Sequence, residues 1–441
     1  MLALLLVLQV AGNSTPSPRV ERGPGAEGVQ DSTPRVTLNE ALARASRLDP
    51  DYVSALGQVG TAEWGRRAAL ATFILPSLTV ALDYTKYSVP FFNIGTGGLQ
   101  STSTTFQATA RYEIFSVRKF AELSRSRAAL DEAEAGSLEA RFTAALFTES
   151  DFYDVLANQE LARLSGERVR RAEEAFQVAR ARVLSGAAVQ TDSLELFLEL
   201  NRSRVEQLRQ ESALRVARLQ LGRRIGISGP VEAVPVDSVS AAELPITLSD
   251  ALDLALEQGP QYRVARAAER SANAVLRSRQ SDYLPTFVAT GSHVRFDTKL
   301  FPNARTVSSI DFGISLPIWN NGQREIAVSQ ARVSRNVAQA IRTDLERAAL
   351  ADVTQAYEAY TTARATVDLQ QTGVLVAREN YRVQEVRYRA GATTILDLLS
   401  GQVVLAEAEA ALVQSRFSAR LALAGLEAMV GRRLFDDRVL P

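Results

Sequence analysis

The sequence predicts a mixed α and β chain of two tandem repeats, each contributing a hairpin of strands and a pair of long helices. Short motifs recur in the same order at a spacing of roughly 205 to 210 residues, as a duplication produces. Strict alternation of apolar and polar residues marks the strands. Stretches of about 65 residues, rich in Ala, Arg, Glu and Leu, mark the helices.

The repeat is clearest where each half opens. Residues 36–45 read Val-Thr-Leu-Asn-Glu-Ala-Leu-Ala-Arg-Ala, and residues 246–255 read Ile-Thr-Leu-Ser-Asp-Ala-Leu-Asp-Leu-Ala. This pattern predicts a helix in each half. The helix is interrupted near Pro50 and Pro260, because proline lacks the N–H that a helix interior needs.

Composition and the internal repeat together predict the domain boundaries. Residues 1–13 combine an apolar stretch with small and polar residues in the order of a signal peptide, for which a disordered leader is the alternative. Residues 14–35, rich in Pro, Gly and Ser, predict a flexible lead-in. The repeat gives the other divisions: a first repeat at 36–230, a linker at 231–245, a second repeat at 246–435 and a tail at 436–441.

Each half then changes to the period of a strand. Apolar and polar residues alternate from Phe106 to Ile114 and from Ile310 to Leu316, with upstream partner strands at 78–84 and 287–296. Each hairpin is therefore expected to have one apolar and one polar face. The polar face carries Gln107, Thr109, Arg111, Asp311 and Ser315.

Two architectures fit such hairpins. A soluble sandwich buries the apolar face against a second sheet, whereas a membrane barrel turns it to lipid and keeps the polar face in a wet lumen. The barrel fits better, because the rest of the chain is helix too long to form the second layer of a sandwich. Four strands cannot close a barrel, and open edges in hydrocarbon are costly. Several copies must then share one barrel, with about eight strands from a dimer or about twelve from a trimer.

A long helical hairpin follows the second strand of each half. Proline is absent from residues 118–183 and 324–389, which predicts rods of about 100 Å at 1.5 Å per residue. Gly186 and Gly391 break these rods where a positive φ is wanted, and a second long helix returns from each turn.

Composition argues against several classes of function. Lys+Arg and Asp+Glu both number 50, so no concentrated basic face is expected for nucleic acid. Cysteine is absent, which excludes disulfides, thiolate metal sites and a thiol nucleophile. The sequence contains no phosphate loop, triad spacing or metal-ligand cluster, and the lone His293 is typical of a structural or surface residue. We therefore predict neither an enzyme nor a cofactor or metal site.

These motifs together resemble the TolC-type outer-membrane efflux protein family, the outer membrane factors, over nearly the whole chain. The resemblance rests on the Leu-x-Glu/Asp-Ala-Leu opening of both halves, the Leu-Pro before each hairpin and the run Leu-Pro-Ile-Trp-Asn-Asn-Gly-Gln at residues 316–323. Residues 387–399 are the most specific match, similar to the helix-turn signature of the family. The first half departs from the pattern, with Glu113 where the second half has Pro317.

The resemblance implies a homotrimer with a twelve-stranded barrel in the outer membrane, continued by a twelve-helix tunnel across the periplasm and a small equatorial domain. It implies a passive exit duct for a tripartite efflux pump or a type I secretion system. The implied partners are a periplasmic adaptor, an inner-membrane transporter of RND, ABC or MFS type, and outer-membrane lipid. A soluble periplasmic coiled-coil scaffold or adaptor is the alternative, but the lipoyl-like segments of an adaptor are not evident.

The resemblance also assigns roles to residues at the helix turns, which form the periplasmic aperture in this family. The matching positions are Gly186, Asp192, Tyr388, Gly391 and Asp397. Aspartates repeated around a narrow aperture would form a negative ring that favours cations. The alternative is that both aspartates cap the returning helices. Thr393 and Ser400 replace a basic and an acidic residue of the family, so a shared latch and a double acidic ring are not implied.

Phe115, Pro317 and Trp319 mark the expected junction between barrel and helices. The two aromatic residues serve either as anchors at the lipid boundary or as packing residues inside the junction. Packing is the slightly favoured interpretation.

Overall fold

The computed structural model describes residues 33–93, 97–235, 242–300 and 304–435, and all structural statements below concern these residues. The expected signal peptide, most of the lead-in and the tail lie outside them. The prediction of a mixed α and β chain in two repeats is confirmed. The elements of the first repeat are β1 Arg35–Val36, α1 Leu38–Leu48, α2 Pro50–Ile74, β2 Ser77–Asn93, β3 Gly98–Phe115, α3 Val117–Leu184 and α4 Gln190–Arg224. They are followed by β4 Glu232–Ala233, α5 Leu248–Gln258, α6 Pro260–Ser281, β5 Thr286–Asp297, β6 Arg305–Ser315, α7 Gln323–Arg389 and α8 Ile395–Val430.

The same local signals start the opening helices of both repeats. Thr37 and Thr247 each form a capping box, in which the threonine hydroxyl accepts the third helical N–H and the third residue's carboxylate accepts the threonine N–H. Pro50 and Pro260 then take the first position of α2 and α6, where their missing N–H costs nothing.

The long helices have nearly the predicted bounds. α3 contains 68 residues and α7 contains 67, so each rod is about 100 Å long at 1.5 Å per residue. Within the described residues, no helix combines the length and the apolar content that spanning a bilayer requires.

The long helices form a layer in the order α4, α3, α8, α7. α4 packs on α3, α3 packs on α8, and α8 packs on α7. α1 and the β1–β4 pair are buried against α3 and α4, while α5 is buried against α7 and α8. This layer leaves α4 and α7 at its two borders.

The two hairpins join into one antiparallel sheet in the order β2, β3, β5, β6. β2 and β3, with 17 and 18 residues, are longer than the predicted strands. Residues 102–105, Thr-Ser-Thr-Thr, lack the alternation that marks a strand but still pair with β2, because threonine suits an extended backbone. Within the described sheet, the outer edges of β2 and β6 have no neighbouring strand.

Candidate functional site

The two long helices end in turns of the same backbone geometry. Gly186 follows α3 with a φ of 73°, and Gly391 follows α7 with a φ of 76°. In both turns the N–H of the next residue donates to a helix carbonyl five residues back, at 2.8 Å. Any other residue is strained at such a φ, so both turns depend on their glycine.

Arg182 ties the first turn to the second. Its Nη1 donates to the carbonyl oxygen of Tyr388 at 2.5 Å, and its Nη2 donates to the carbonyl oxygen of Ala187 at 3.3 Å. Its guanidinium carbon lies 4.8 Å from the centre of the Tyr388 ring. Arg387 occupies the same place in the second repeat and donates to Ala392 at 3.5 Å. The sequence reasoning missed Arg182, although an arginine four residues before each glycine was a detectable signal.

Tyr388 is the buried member of this group, with 2% of its surface exposed. Its buried cluster draws on all four long helices and includes Ala179 of α3, Leu196 of α4, Tyr381 of α7 and Leu398 of α8. Burial raises the pKa of the Tyr388 phenol, the Asp192 carboxylate raises it further, and Arg182 lowers it. The structure therefore brings Asp192 and Tyr388 within electrostatic reach of each other.

Asp192 and Asp397 occupy equivalent positions in the returning helices but make different contacts. The Oδ2 of Asp397 accepts the Thr394 N–H at 3.2 Å and the Thr393 hydroxyl at 2.7 Å, and so completes a capping box. These hydrogen bonds, the one from Thr393 first, lower the pKa of the Asp397 carboxyl. α4 starts after Val189, which provides no side-chain cap within the described structure. Asp397 therefore acts as a cap, and whether either aspartate lines an aperture stays a prediction.

The strand register places the five predicted polar residues on one face of the sheet. Arg111 is paired with Ser77 and Thr290, and Thr290 is paired in turn with Asp311. Gln107 and Thr109 share this face of β3, and Ser315 shares it on β6, because side chains alternate along a strand. That this face lines a lumen stays a prediction.

The opposite face carries exposed apolar residues in a sloping band. Leu78 and Ile310 lie in the same row of the sheet. From this row the exposed band on β2 runs away from the helices through Leu82, whereas the band on β6 runs towards them through Ile314. The centre shifts by about four residues, or about 13 Å, across three strand spacings of about 4.8 Å. This slope of about 40–45° matches the tilt of strands in membrane barrels.

Two cations fold back over the junction between strand and helix. The Nη1 of Arg324 donates to the Pro317 carbonyl at 2.6 Å, and its guanidinium lies 4.0 Å from the centre of the Tyr283 ring. The Nζ of Lys119 donates to a carbonyl of β3 at 2.5 Å and lies 4.2 Å from the Tyr112 ring centre. Both cations satisfy carbonyls where the chain leaves the sheet. The sequence reasoning missed them, although each repeat has a cation near the start of its long helix.

The junction aromatics differ in their surroundings. The Phe115 ring lies 6.4 Å from the ring of Phe120 and 6.1 Å from that of Phe287, measured between centres. Trp319 is 72% exposed in the single chain. Packing therefore describes Phe115, whereas the exposed Trp319 is free to meet lipid or another copy, and its role stays a prediction.

Comparisons with known proteins point to one family. The sequence model of the outer membrane efflux proteins matches residues 38–226 and 251–432. The chain is 25% identical over 412 residues to the pyoverdine export outer membrane protein OpmQ of Pseudomonas putida, covering 89% of this chain and 84% of OpmQ. It is 23% identical over 357 residues to the alkaline protease secretion protein AprF of Pseudomonas aeruginosa, covering 79% and 70%. The solved structure of CusC superposes with a TM-score of 0.78 at 16% identity, covering 90% of this chain and 92% of that one.

Proposed function

Because this chain belongs to the outer membrane efflux protein family, we propose that three copies of it form a passive exit duct across the outer membrane. The duct accepts cargo from a periplasmic adaptor and an inner-membrane transporter, conducts it outward and carries out no chemistry itself. Family membership favours this function over that of a periplasmic scaffold or adaptor. One relative is named for pyoverdine export and another for protease secretion, so membership does not fix the cargo.

The open edges of the sheet require other copies. Outer-membrane lipid offers no hydrogen bonds to the free backbone groups of β2 and β6, and each unpaired group costs several kcal/mol there. Pairing β6 of one copy with β2 of the next satisfies both edges and turns the sloping apolar band to lipid. Three copies with four strands each then give the twelve strands expected of this family.

The internal repeat supplies the observation that carries the contact between copies. Leu208 on α4 and Val413 on α8 hold equivalent positions in the two helical hairpins, yet Leu208 is 65% exposed and Val413 only 4%. The difference arises because α8 lies between α3 and α7, whereas α4 lies at a border of the layer. In the duct, α7 of a neighbouring copy covers α4 as α3 covers α8.

This equivalence specifies individual contacts between copies. Within the chain, Arg171 on α3 donates to Glu409 on α8 at 3.0 Å. At the offset of 205 residues between the repeats, Arg171 corresponds to Val376 on α7, and Glu409 corresponds to Arg204 on α4. We therefore place Val376 of one copy beside Arg204 of the next.

Thiol crosslinking tests this placement, since the chain has no cysteine of its own. A bismaleimide with a spacer of about 10 Å is used, because a contact between long side chains separates the backbones by more than the roughly 7 Å that a disulfide spans. The double variant Val376→Cys with Arg204→Cys is expected to give covalent dimers and trimers in membranes, whereas the matched Arg171→Cys with Glu409→Cys is expected to crosslink within one chain and to run as a monomer. If the first variant gives monomers alone while the mass of the second shows its crosslink, the proposed contact between copies is refuted.

The aperture assignment is tested separately by ion selectivity. We place Asp192 at the periplasmic mouth, where a ring of three carboxylates attracts cations. Asp192→Asn is expected to lower the cation-to-anion permeability ratio of the trimer in planar bilayers. Asp368→Asn makes the same charge change on an exposed part of α7 and is the control. Equal selectivity for both variants and the parent would remove Asp192 from the aperture.

Cell fractionation tests the site of action. The mature protein is expected in the outer membrane and in detergent extracts, and recovery as a soluble periplasmic monomer would contradict the duct.

A further inference from the structure

The alternation of the second hairpin inverts halfway along its strands. Near the helices, Ala289 and Phe312 are paired on the apolar face of the sheet. Further out, His293 and Ser308 are paired on that same face, and their Nδ1 and Oγ atoms lie 2.9 Å apart. Arg295 follows His293 on this face, paired with Thr306. The outward face of β5 and β6 thus changes from apolar to cationic and hydroxyl-bearing.

The inversion lies at the border of the apolar band that is farther from the helices, called the upper border below. On β6 the band ends at Ile310, so Ser308 and Thr306 lie just above it. On β2 the exposed apolar and aromatic residues continue through Tyr84, and Lys86 is the next residue on that face, before the bulge after which Phe91 follows.

Ser308 lies in the row of Val80, six residues before Lys86 along β2. A strand tilt of about 40–45° shifts a line of equal depth by about five to six residues over the four strand spacings from β2 to β2 of the next copy, which brings Lys86 of the next copy to the row of Ser308.

Closing the barrel brings the two borders together. When β2 of a neighbouring copy pairs with β6, the partner copy's Lys86 stands one strand from the Ser308 and Thr306 hydroxyls. Arg295 and His293 stand one strand away on the other side. The two flanking strands are then about 10 Å apart, a distance that lysine and arginine side chains bridge. Each seam between copies therefore presents hydroxyl groups between cations.

The geometry points to a binding site at each seam for a phosphate-bearing lipid of the outer leaflet. Its acyl chains lie on the apolar band below, and its phosphate oxygens accept hydrogen bonds from Arg295, from the hydroxyls of β6 and from Lys86 of the adjoining copy. The site rests on the proposed trimer, because one chain provides only one side of each seam.

Along the described strands, the other charged side chain on this face is Asp297, beyond Arg295 at the end of β5. Its carboxylate accepts the Thr298 N–H at 2.6 Å and the Thr298 hydroxyl at 3.2 Å, which engages it within its own turn. The cationic groups Lys86 and Arg295 thus outnumber the single carboxylate, and the balance of charge favours an anion.

Binding of lipid A, a lipid with two phosphates, to the detergent-solubilised trimer tests the proposal in native mass spectrometry. The wild type is expected to bind lipid A more tightly than its dephosphorylated form. Lys86→Gln and Arg295→Gln are each expected to weaken lipid A binding by about fivefold, whereas Arg295→Lys keeps it. Arg305→Gln is the matched control, because Arg305 lies on the opposite face of β6 and should leave the affinity unchanged.

The outcomes separate the two proposals. A chain that appears as a monomer refutes the trimer and the seam with it. A trimer that binds both lipids equally, or that loses as much affinity through Arg305→Gln as through Arg295→Gln, overturns the lipid site alone.

Discussion

The two repeats form the same helical hairpin, but α8 is packed between two long helices whereas α4 lies at a border of the layer, and the charges on the two hairpins differ accordingly. Glu173 on α3 pairs with Arg204 on α4 at 3.4 Å, and at the equivalent positions Arg378 on α7 pairs with Glu409 on α8 at 3.4 Å, with the charges reversed. The first pair is half exposed, whereas Glu409 is buried because α3 covers it. The same helix position is thus an exposed arginine at the border of the layer and a buried carboxylate inside it.

A second contrast concerns an arginine near the end of each repeat, although the two do not hold the same position. Arg433 donates to Glu149 on α3 and, at 2.6 Å, to Glu427 on α8, and both carboxylates are buried. Arg224, the last residue of α4, binds Asp151 on α3, where both side chains keep about a fifth of their surface exposed. Both arginines anchor α3, but only Arg433 neutralises fully buried charge.

The largest expected loss of stability comes from removing the Arg433 side chain. Arg433→Ala leaves the buried Glu149 without its guanidinium, and removing one partner of a buried ion pair costs about 3–5 kcal/mol of unfolding free energy. Arg224→Ala should cost less, since water reaches Asp151. Chemical denaturation of the detergent-solubilised trimers measures both, and equal losses would show that burial does not separate the two anchors.

The next largest loss of stability is expected at the ion pairs whose charges are reversed between the repeats. Glu409→Gln removes the charge shared by Arg171 and Arg378, and the loss of a buried charged acceptor costs about 1–3 kcal/mol. Glu173→Gln should cost less, because Glu173 is half exposed in the single chain and pairs with Arg204, whereas Glu409 is buried and serves two arginines. The same denaturation measurement compares them. A larger loss for Glu173→Gln would mean that α7 of the next copy buries this pair more completely than α3 buries Glu409.

These buried charges were beyond sequence-based prediction for a physical reason. The turns at Gly186 and Gly391 and the alternating strands are local signals, and the structure has them at the predicted positions. Glu149 and Glu409 lie in helices rich in Glu and Arg, and such a local pattern predicts that every carboxylate is exposed to solvent. Their burial depends on helices distant in sequence, since Arg433 reaches Glu149 across 284 residues.

The candidate site likewise has features that the local sequence predicts and features that depend on how distant segments pack. The shared polar face of Gln107, Thr109 and Arg111 follows from alternation alone, which requires no knowledge of neighbouring strands. The bridge from Arg182 to Tyr388 depends on how the two hairpins meet, which no local pattern contains. Resemblance to the family supplied the aperture positions, but not this arginine.

The smallest expected effect concerns the caps of the returning helices, where the second repeat has Thr394 and the first has Val189. Thr394→Ala removes the hydroxyl that accepts the Asp397 N–H at 3.3 Å, and a lost cap costs about 1 kcal/mol. Amide exchange in the first turn of α8 should then quicken by about fivefold, the factor that 1 kcal/mol gives. Val189→Thr places a hydroxyl before α4, with Asp192 already at the third position, and should slow exchange there. Hydrogen exchange by mass spectrometry reports both turns in one experiment. If Val189→Thr leaves α4 unchanged, the Asp192 carboxylate is held away from the cap by its neighbours around Tyr388, and the two turns differ in more than one hydroxyl.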